Sequence, residues 1–361
     1  MMERAAIRAR ADQVRAVFEA EKAQVVETSI LQPADTLLDL YGEDIRARAY
    51  VTSDALRGEQ MLRPDFTVPV VQMHMKYGAE PARYTYAGEV FRRQEDDAAR
   101  PNEYVQVGYE VFDRDNPIDS DAEVFTVIRA ALGDVPLRAA TGDIGILMAA
   151  VDGLDTSDAR KAALRRHIWH PRRFRALIDR YAGRTPVPPA RKALLKAADP
   201  FAGNAPQIGL RTRSEVAARI ETLRADAATP PLSEREVSLL DAILSVRESL
   251  PNALEHLRDI AVDMPAIEPA VERLSKRMKA LAKRGVDVDS LDFEASYGRT
   301  SLEYYDGFVF GFYQSSRPDL PPVAAGGRYD ALTRVLGQGA EIPAVGGVIR
   351  PDRLIDVETG K

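Results

Sequence analysis

The chain contains no cysteine, which excludes disulfides, thiolate-bound metal and a cysteine nucleophile. Histidine is scarce as well. His74, His167, His170 and His256 are the only four, and no HExxH or paired-ligand spacing relates them, so no metal site is expected. No apolar run approaches the roughly 20 residues that cross a bilayer. The Arg- and Ala-rich start, residues 1–10, lacks the apolar stretch of a secretory signal. The expectation is a cytoplasmic protein with no membrane partner. Positive charge is not in excess, with 49 Lys and Arg against 55 Asp and Glu and a formal net charge of −6. That balance weighs against a dedicated nucleic-acid binder, which clusters Lys and Arg against phosphate. Internal repeats and low-complexity tracts are also missing.

The 361 residues, 45% of them apolar, suffice for one large domain or two unequal ones. Ile7, Ala11, Val14 and Phe18 recur at helical spacing and predict a helix over 3–22. A strand over 24–30 and a turn over 32–35 follow. Two further strands are predicted over 83–92 and 103–112, separated by a polar loop. In the second, Val105, Val107, Tyr109 and Val111 point one way, and Tyr104, Gln106, Gly108, Glu110 and Phe112 the other. The second set joins an amide and a carboxylate across a glycine, between two aromatics. Such a surface suits a floor that holds a small polar molecule.

From about His167 to Arg284 the pattern turns helical, broken at 186–189 and 229–231. Its best-marked helix, 270–284, carries the stripe Val271, Leu274, Met278 and Leu281, with Glu268 before it and Gly285 after it. Lys276, Lys279, Lys283 and Arg284 read as its solvated face. Strand character returns over 302–313, and the glycine cluster at 325–330 opens another helix. Strand-rich ends around a helical middle suggest a helical domain inserted into one α/β core.

The order of several short segments is more specific than any one of them. Leu62-Arg63-Pro64-Asp65-Phe66-Thr67 is similar to the Leu-Arg-Pro-Glu-Gly-Thr segment of histidyl-tRNA synthetases. Val90-Phe91-Arg92-Arg93 and Gln106-Val107-Gly108-Tyr109-Glu110 resemble motif 2 of that class II family. Leu302-Glu303-Tyr304-Tyr305 resembles its Arg-Gly-Leu-Asp-Tyr-Tyr histidine motif, and Gly326-Gly327-Arg328-Tyr329-Asp330 its Gly-Gly-Arg-Tyr-Asp motif. Residues 344–354 fall where motif 3 belongs, and Glu27 to Gly42 in the motif 1 region. The resemblance covers nearly the whole chain. It implies an α+β fold: a class II aminoacyl-tRNA synthetase-like antiparallel sheet of six or seven strands, flanked by helices, and a dimer built through motif 1. The implied division is a core over 1–165 and 286–361, with a helical insertion over 166–285.

The resemblance also implies L-histidine as the ligand, and the matched residues suit one. Asp65 offers an anion for the ammonium, Thr67 a hydroxyl, Gln106 an amide and Arg92 a partner for the carboxylate. Glu110 holds the position that faces the imidazole, Tyr305 and Tyr329 those that pack around the ring, and Tyr304 of the same motif joins the histidine-binding set. A carboxylate beside an imidazole nitrogen selects histidine over apolar amino acids of similar size, because an unmatched buried polar group is costly. Taken alone, Asp65 and Arg92 read equally well as a structural ion pair, and the tyrosines as core.

Departures from the synthetase pattern fall on adenylation. Thr300 stands where an arginine steadies the α-phosphate, and Arg299 next to it is expected on the opposite face. Arg350, followed by Pro351, replaces a glycine of the nucleotide shelf, while Arg353 keeps its position. Ser29 stands where the motif 1 proline does. Only eight residues follow Arg353, so no anticodon-reading module, about 100 residues in size, and no tRNA partner are expected. This combination resembles the regulatory subunits of short-form ATP phosphoribosyltransferase. Implied are no catalytic residues, no cofactor, and a hetero-oligomer with a separate catalytic subunit that this chain switches on and subjects to histidine inhibition. Two alternatives remain: a minimal histidyl-tRNA synthetase-like enzyme without the anticodon domain, and a synthetase-like paralogue for another amino acid.

Overall fold

The computed structural model describes residues 4–41, 45–94, 100–202, 208–299, 304–317 and 319–360. Its strands are β1 (Gln24–Val25), β2 (Leu31–Pro33), β3 (Val51–Asp54), β4 (Gly58–Leu62), β5 (Ala82–Phe91), β6 (Glu103–Phe112), β7 (Leu137–Asp143), β8 (Arg247–Ser249), β9 (Asp292–Glu294), β10 (Phe308–Gln314), β11 (Ala324–Arg328) and β12 (Ala344–Ile349). Nine of them form one sheet in the order β1-β5-β6-β12-β11-β10-β7-β9-β8, and β2-β4-β3 form a small second sheet. The fold is α+β, a sheet flanked by helices, as the motifs implied. The six longer strands from β5 to β7 pair antiparallel. The count of six or seven is corrected to nine, and the sheet is mixed. The two-residue β1 lies parallel against β5, and β9 parallel against β7 with β8 beyond it. These additions cover edges that would otherwise expose unpaired backbone groups.

Sequence pattern and structure agree most closely where periodicity is strong. The first helix is Arg4–Ala20, with Ala11, Val14 and Phe18 buried. It covers one face of the sheet with helix Pro117–Leu132. Phe18 meets Tyr109 at 5.4 Å between ring centroids, and the Tyr109 hydroxyl donates to Glu123 at 2.7 Å. The predicted strand at 24–30 shrinks to two residues. The one predicted over 302–313 begins at Phe308, because the chain turns at Tyr304–Gly307 first.

The middle of the chain is helical apart from β8: Pro171–Tyr181, Pro189–Lys196, Arg213–Ala228, Glu234–Ser245, Leu250–Asp263 and Glu268–Lys283. Pro189 opens a helix, where a missing N–H costs nothing. Thr212 with Glu215 and Ser233 with Glu236 form capping boxes that satisfy first-turn donors. In helix Glu268–Lys283, Val271, Leu274 and Leu281 are buried as expected, but so is Arg277.

Arg277 anchors a buried ion network beneath the sheet. Its Nε donates to Asp121 and its Nη1 to Asp143, each at 2.8 Å. Arg328 donates to the other oxygen of Asp121 at 2.7 Å and to Asp330 at 2.9 Å. Asp330 in turn accepts from the Ala344 amide at 2.9 Å. Asp306 accepts from the amides of Asp330 and Ala331, at 3.1 and 2.5 Å. The Gly-Gly-Arg-Tyr-Asp segment is thereby tied to the helical middle of the chain, which fixes Tyr329 between β11 and its helix. Among the described residues no helix is long and apolar enough to cross a membrane.

Candidate functional site

The face of β6 away from the first helix carries Gln106 and Glu110, both buried. Around them the turn after β4 brings Asp65 and Thr67, and the end of β5 brings Arg92. The turn before β10 brings Tyr304 and Tyr305, and the end of β11 brings Tyr329. These eight residues, the full set expected from sequence, line one recess together with Gly346, Gly347 and Val348 of β12. Its free volume is about 10 Å³, roughly what one water molecule requires.

Glu110 is the centre of the recess. Its Oε1 accepts from Thr67 Oγ1 at 3.1 Å and from the Tyr86 hydroxyl at 2.8 Å, and its Oε2 from the Tyr329 hydroxyl at 2.5 Å. Burial pushes the carboxyl up to about 7. The hydroxyl donors of Tyr329, Tyr86 and Thr67 hold it down against that, while nearby Asp65 adds to the rise. Burial also raises Tyr86, Tyr305 and Tyr329, so the phenols keep their protons as donors. Because Glu110 titrates above its ordinary 4.5, its contribution to stability is full below that value. It is lost as pH rises through about 7. An ionised Glu110 at neutral pH is thus held at a cost to stability.

The other side chains are held from outside the recess. Asp65 Oδ1 accepts from the Val68 amide at 3.4 Å, and Arg92 Nε donates to the Pro64 carbonyl at 2.7 Å. Tyr304 meets Tyr305 edge-on at 5.0 Å and Tyr329 at 6.0 Å. Gln106 Oε1 is buried and has no hydrogen-bond partner among the described residues. Such an orphaned acceptor, in a recess with an acid and a guanidinium, is suited to a ligand N–H donor.

Two contributors escaped the sequence reading. Tyr86 pairs across the strands with Gly108, and Gly346 with Glu110. A Cβ on Gly346 would stand 1.4 Å from Glu110 Oε2, so only glycine leaves room for the carboxylate there. The signal for both was a glycine facing a large buried partner, readable only once the register is known.

In the motif 3 segment, the Arg350 guanidinium covers the Tyr104 ring at 4.1 Å and is bound to Asp352 at 2.8 Å. Arg353 donates to Asp356 at 2.7 Å. Arg299 turns away from the recess, donating to the Ile168 carbonyl at 2.7 Å and lying over Phe174. Burial lowers it to about 10. Thr300, Leu302 and Glu303, and Gly42 of the motif 1 region, lie outside the described residues.

Residues 2–228 and 211–354 match the sequence profile of the histidyl-tRNA synthetase family. Among curated proteins, the ATP phosphoribosyltransferase regulatory subunits of Brucella canis and Brucella abortus are 32% identical to the chain. The match spans 94% of this chain with 95% and 94% of theirs. Among solved structures, an ATP phosphoribosyltransferase regulatory subunit/histidyl-tRNA synthetase from Bacillus halodurans superposes with a TM-score of 0.69 at 22% identity. It covers 99% of this chain and 81% of that one. A histidine–tRNA ligase subunit from Alicyclobacillus acidocaldarius gives 0.63 at 23% identity, over 100% and 96%.

Proposed function

We propose a function from the premise that this chain belongs to the histidyl-tRNA synthetase family and, within it, to the ATP phosphoribosyltransferase regulatory subunits. On that premise we propose that it serves a short-form catalytic subunit as its regulatory partner. It activates that subunit, binds L-histidine in the recess around Glu110, and conveys feedback inhibition in the first step of histidine biosynthesis. The observation that carries the reading is the convergence of Asp65, Thr67, Arg92, Gln106, Glu110, Tyr304, Tyr305 and Tyr329 on one recess. Asp65 and the orphaned Gln106 oxygen answer an ammonium, Arg92 a carboxylate, and Glu110 an imidazole N–H.

A recess with room for about one water must open to admit histidine. Tyr304 and Tyr305 stand on a turn rather than a strand, so the opening is assigned to them. Histidine then favours the opened form, and that preference is what a regulatory ligand needs to shift a quaternary equilibrium, typically by about 1–3 kcal/mol.

We also propose that the chain has no adenylating activity of its own and takes no tRNA. The guanidinium of Arg350, which stands where the synthetase pattern has a shelf glycine, occupies the aromatic face of Tyr104. Arg299 is committed to Ile168 and Phe174, and so does not reach the recess. Self-association through the motif 1 region is supported by its exposed apolar side chains Ile30 and Leu31, with Val25 and Val51 exposed on strands just outside it.

The test is reconstitution. With a short-form catalytic subunit, adding this chain is expected to raise phosphoribosyl transfer, and histidine to lower it again. The chain alone should show no histidine-dependent exchange of pyrophosphate into ATP. Exchange activity would overturn the non-catalytic reading in favour of a minimal synthetase. Failure to activate would overturn the regulatory one.

A further inference from the structure

We infer that Tyr86 is the positioning residue that fixes the Glu110 carboxyl group and leaves a single acceptor position on it for the ligand. The inference rests on the reading of the recess as an imidazole site. Tyr86 is fully buried on β5 and stacks on Phe66 at 4.3 Å between centroids. Its ring lies across Gly108, where a Cβ would come within 2.1 Å of it. An aromatic laid over a glycine on the neighbouring strand is a fixed platform, and its only polar atom is aimed at Glu110 Oε1.

A carboxylate oxygen offers two acceptor positions. On Glu110, Oε1 has both filled, by Tyr86 and Thr67, and Oε2 has one filled, by Tyr329. One position remains, on Oε2. A ligand that donates a single N–H at that point is accepted, and a ligand that only accepts hydrogen bonds is refused. Three hydroxyl donors on one carboxylate also favour its charged form over the neutral one. The other titratable groups facing Glu110 are Asp65, which opposes ionisation, and Tyr305. Arg92 lies along the same recess.

Removing the Tyr86 hydroxyl alone therefore raises the proton affinity of Glu110. Histidine must then displace that proton over a wider pH range. In Tyr86→Phe the ring over Gly108 is kept, and histidine affinity is measured by calorimetric titration between pH 5.5 and 8.5. For the unaltered chain, affinity is expected to fall as pH drops below about 7. In Tyr86→Phe the fall should begin about one pH unit higher, with a several-fold deficit at pH 7 that closes by pH 8.5. Thr67→Val removes the other donor to Oε1 and should move the profile in the same direction. A deficit equal at every pH in both variants, or no deficit, overturns the inference while leaving the histidine site intact. Failure of the unaltered chain to bind histidine at any pH overturns the site itself, and this inference with it.

Discussion

Replacing Arg277 by alanine is expected to lower the unfolding free energy by about 3–5 kcal/mol, the usual cost of stranding a buried charge. Arg277 is only 3% exposed and donates to two carboxylates that are exposed by 1% and 2%. Without it, Asp121 keeps Arg328, but Asp143 keeps only the Gly145 amide at 2.9 Å. The loss comes from the ion left behind rather than from the pair itself. A double replacement, Arg277→Leu with Asp143→Leu, is therefore expected to recover part of it. Urea unfolding checks both. A loss below about 1 kcal/mol in Arg277→Ala would show that water reaches Asp143 and that the network is not the buttress described above.

The second large effect is on binding. Glu110→Ala is expected to weaken histidine binding at least tenfold, about 1.4 kcal/mol, without loss of fold. Alanine removes the acceptor for the ligand N–H and also the group that three hydroxyls orient. The fold is expected to survive, because removing a buried charge that works against stability offsets the loss of the acceptor shared by three buried hydroxyls. A variant that bound histidine as tightly as the unaltered chain would take Glu110 out of the site.

Much of the recess was legible before the structure, and for a physical reason. The side chains of β6 alternate over ten residues, which placed Gln106 and Glu110 on one face without knowledge of any neighbour. The ordered motifs then supplied Asp65, Thr67, Arg92 and the three tyrosines. What stayed hidden depends on contacts distant in the chain. Arg277 reaches Asp121 across 156 positions, and its place on a helix face between apolar residues gave no sign that it was buried. Tyr86 became visible only through its register with Gly108. The short strands β8 and β9 have three residues each, too few to show alternation. The strand predicted from 302 begins at Phe308, because Asp306 turns back to meet the amides of Asp330 and Ala331.

The most direct test of the central claim is calorimetric titration of the purified chain with histidine and, separately, with ATP, alongside Glu110→Ala. Histidine is expected to bind, ATP is expected not to because Arg350 covers Tyr104, and Glu110→Ala is expected to lose most of the histidine signal. Binding of ATP, above all if histidine tightened it, would contradict the regulatory reading and restore that of an enzyme. Absence of histidine binding would contradict the pocket.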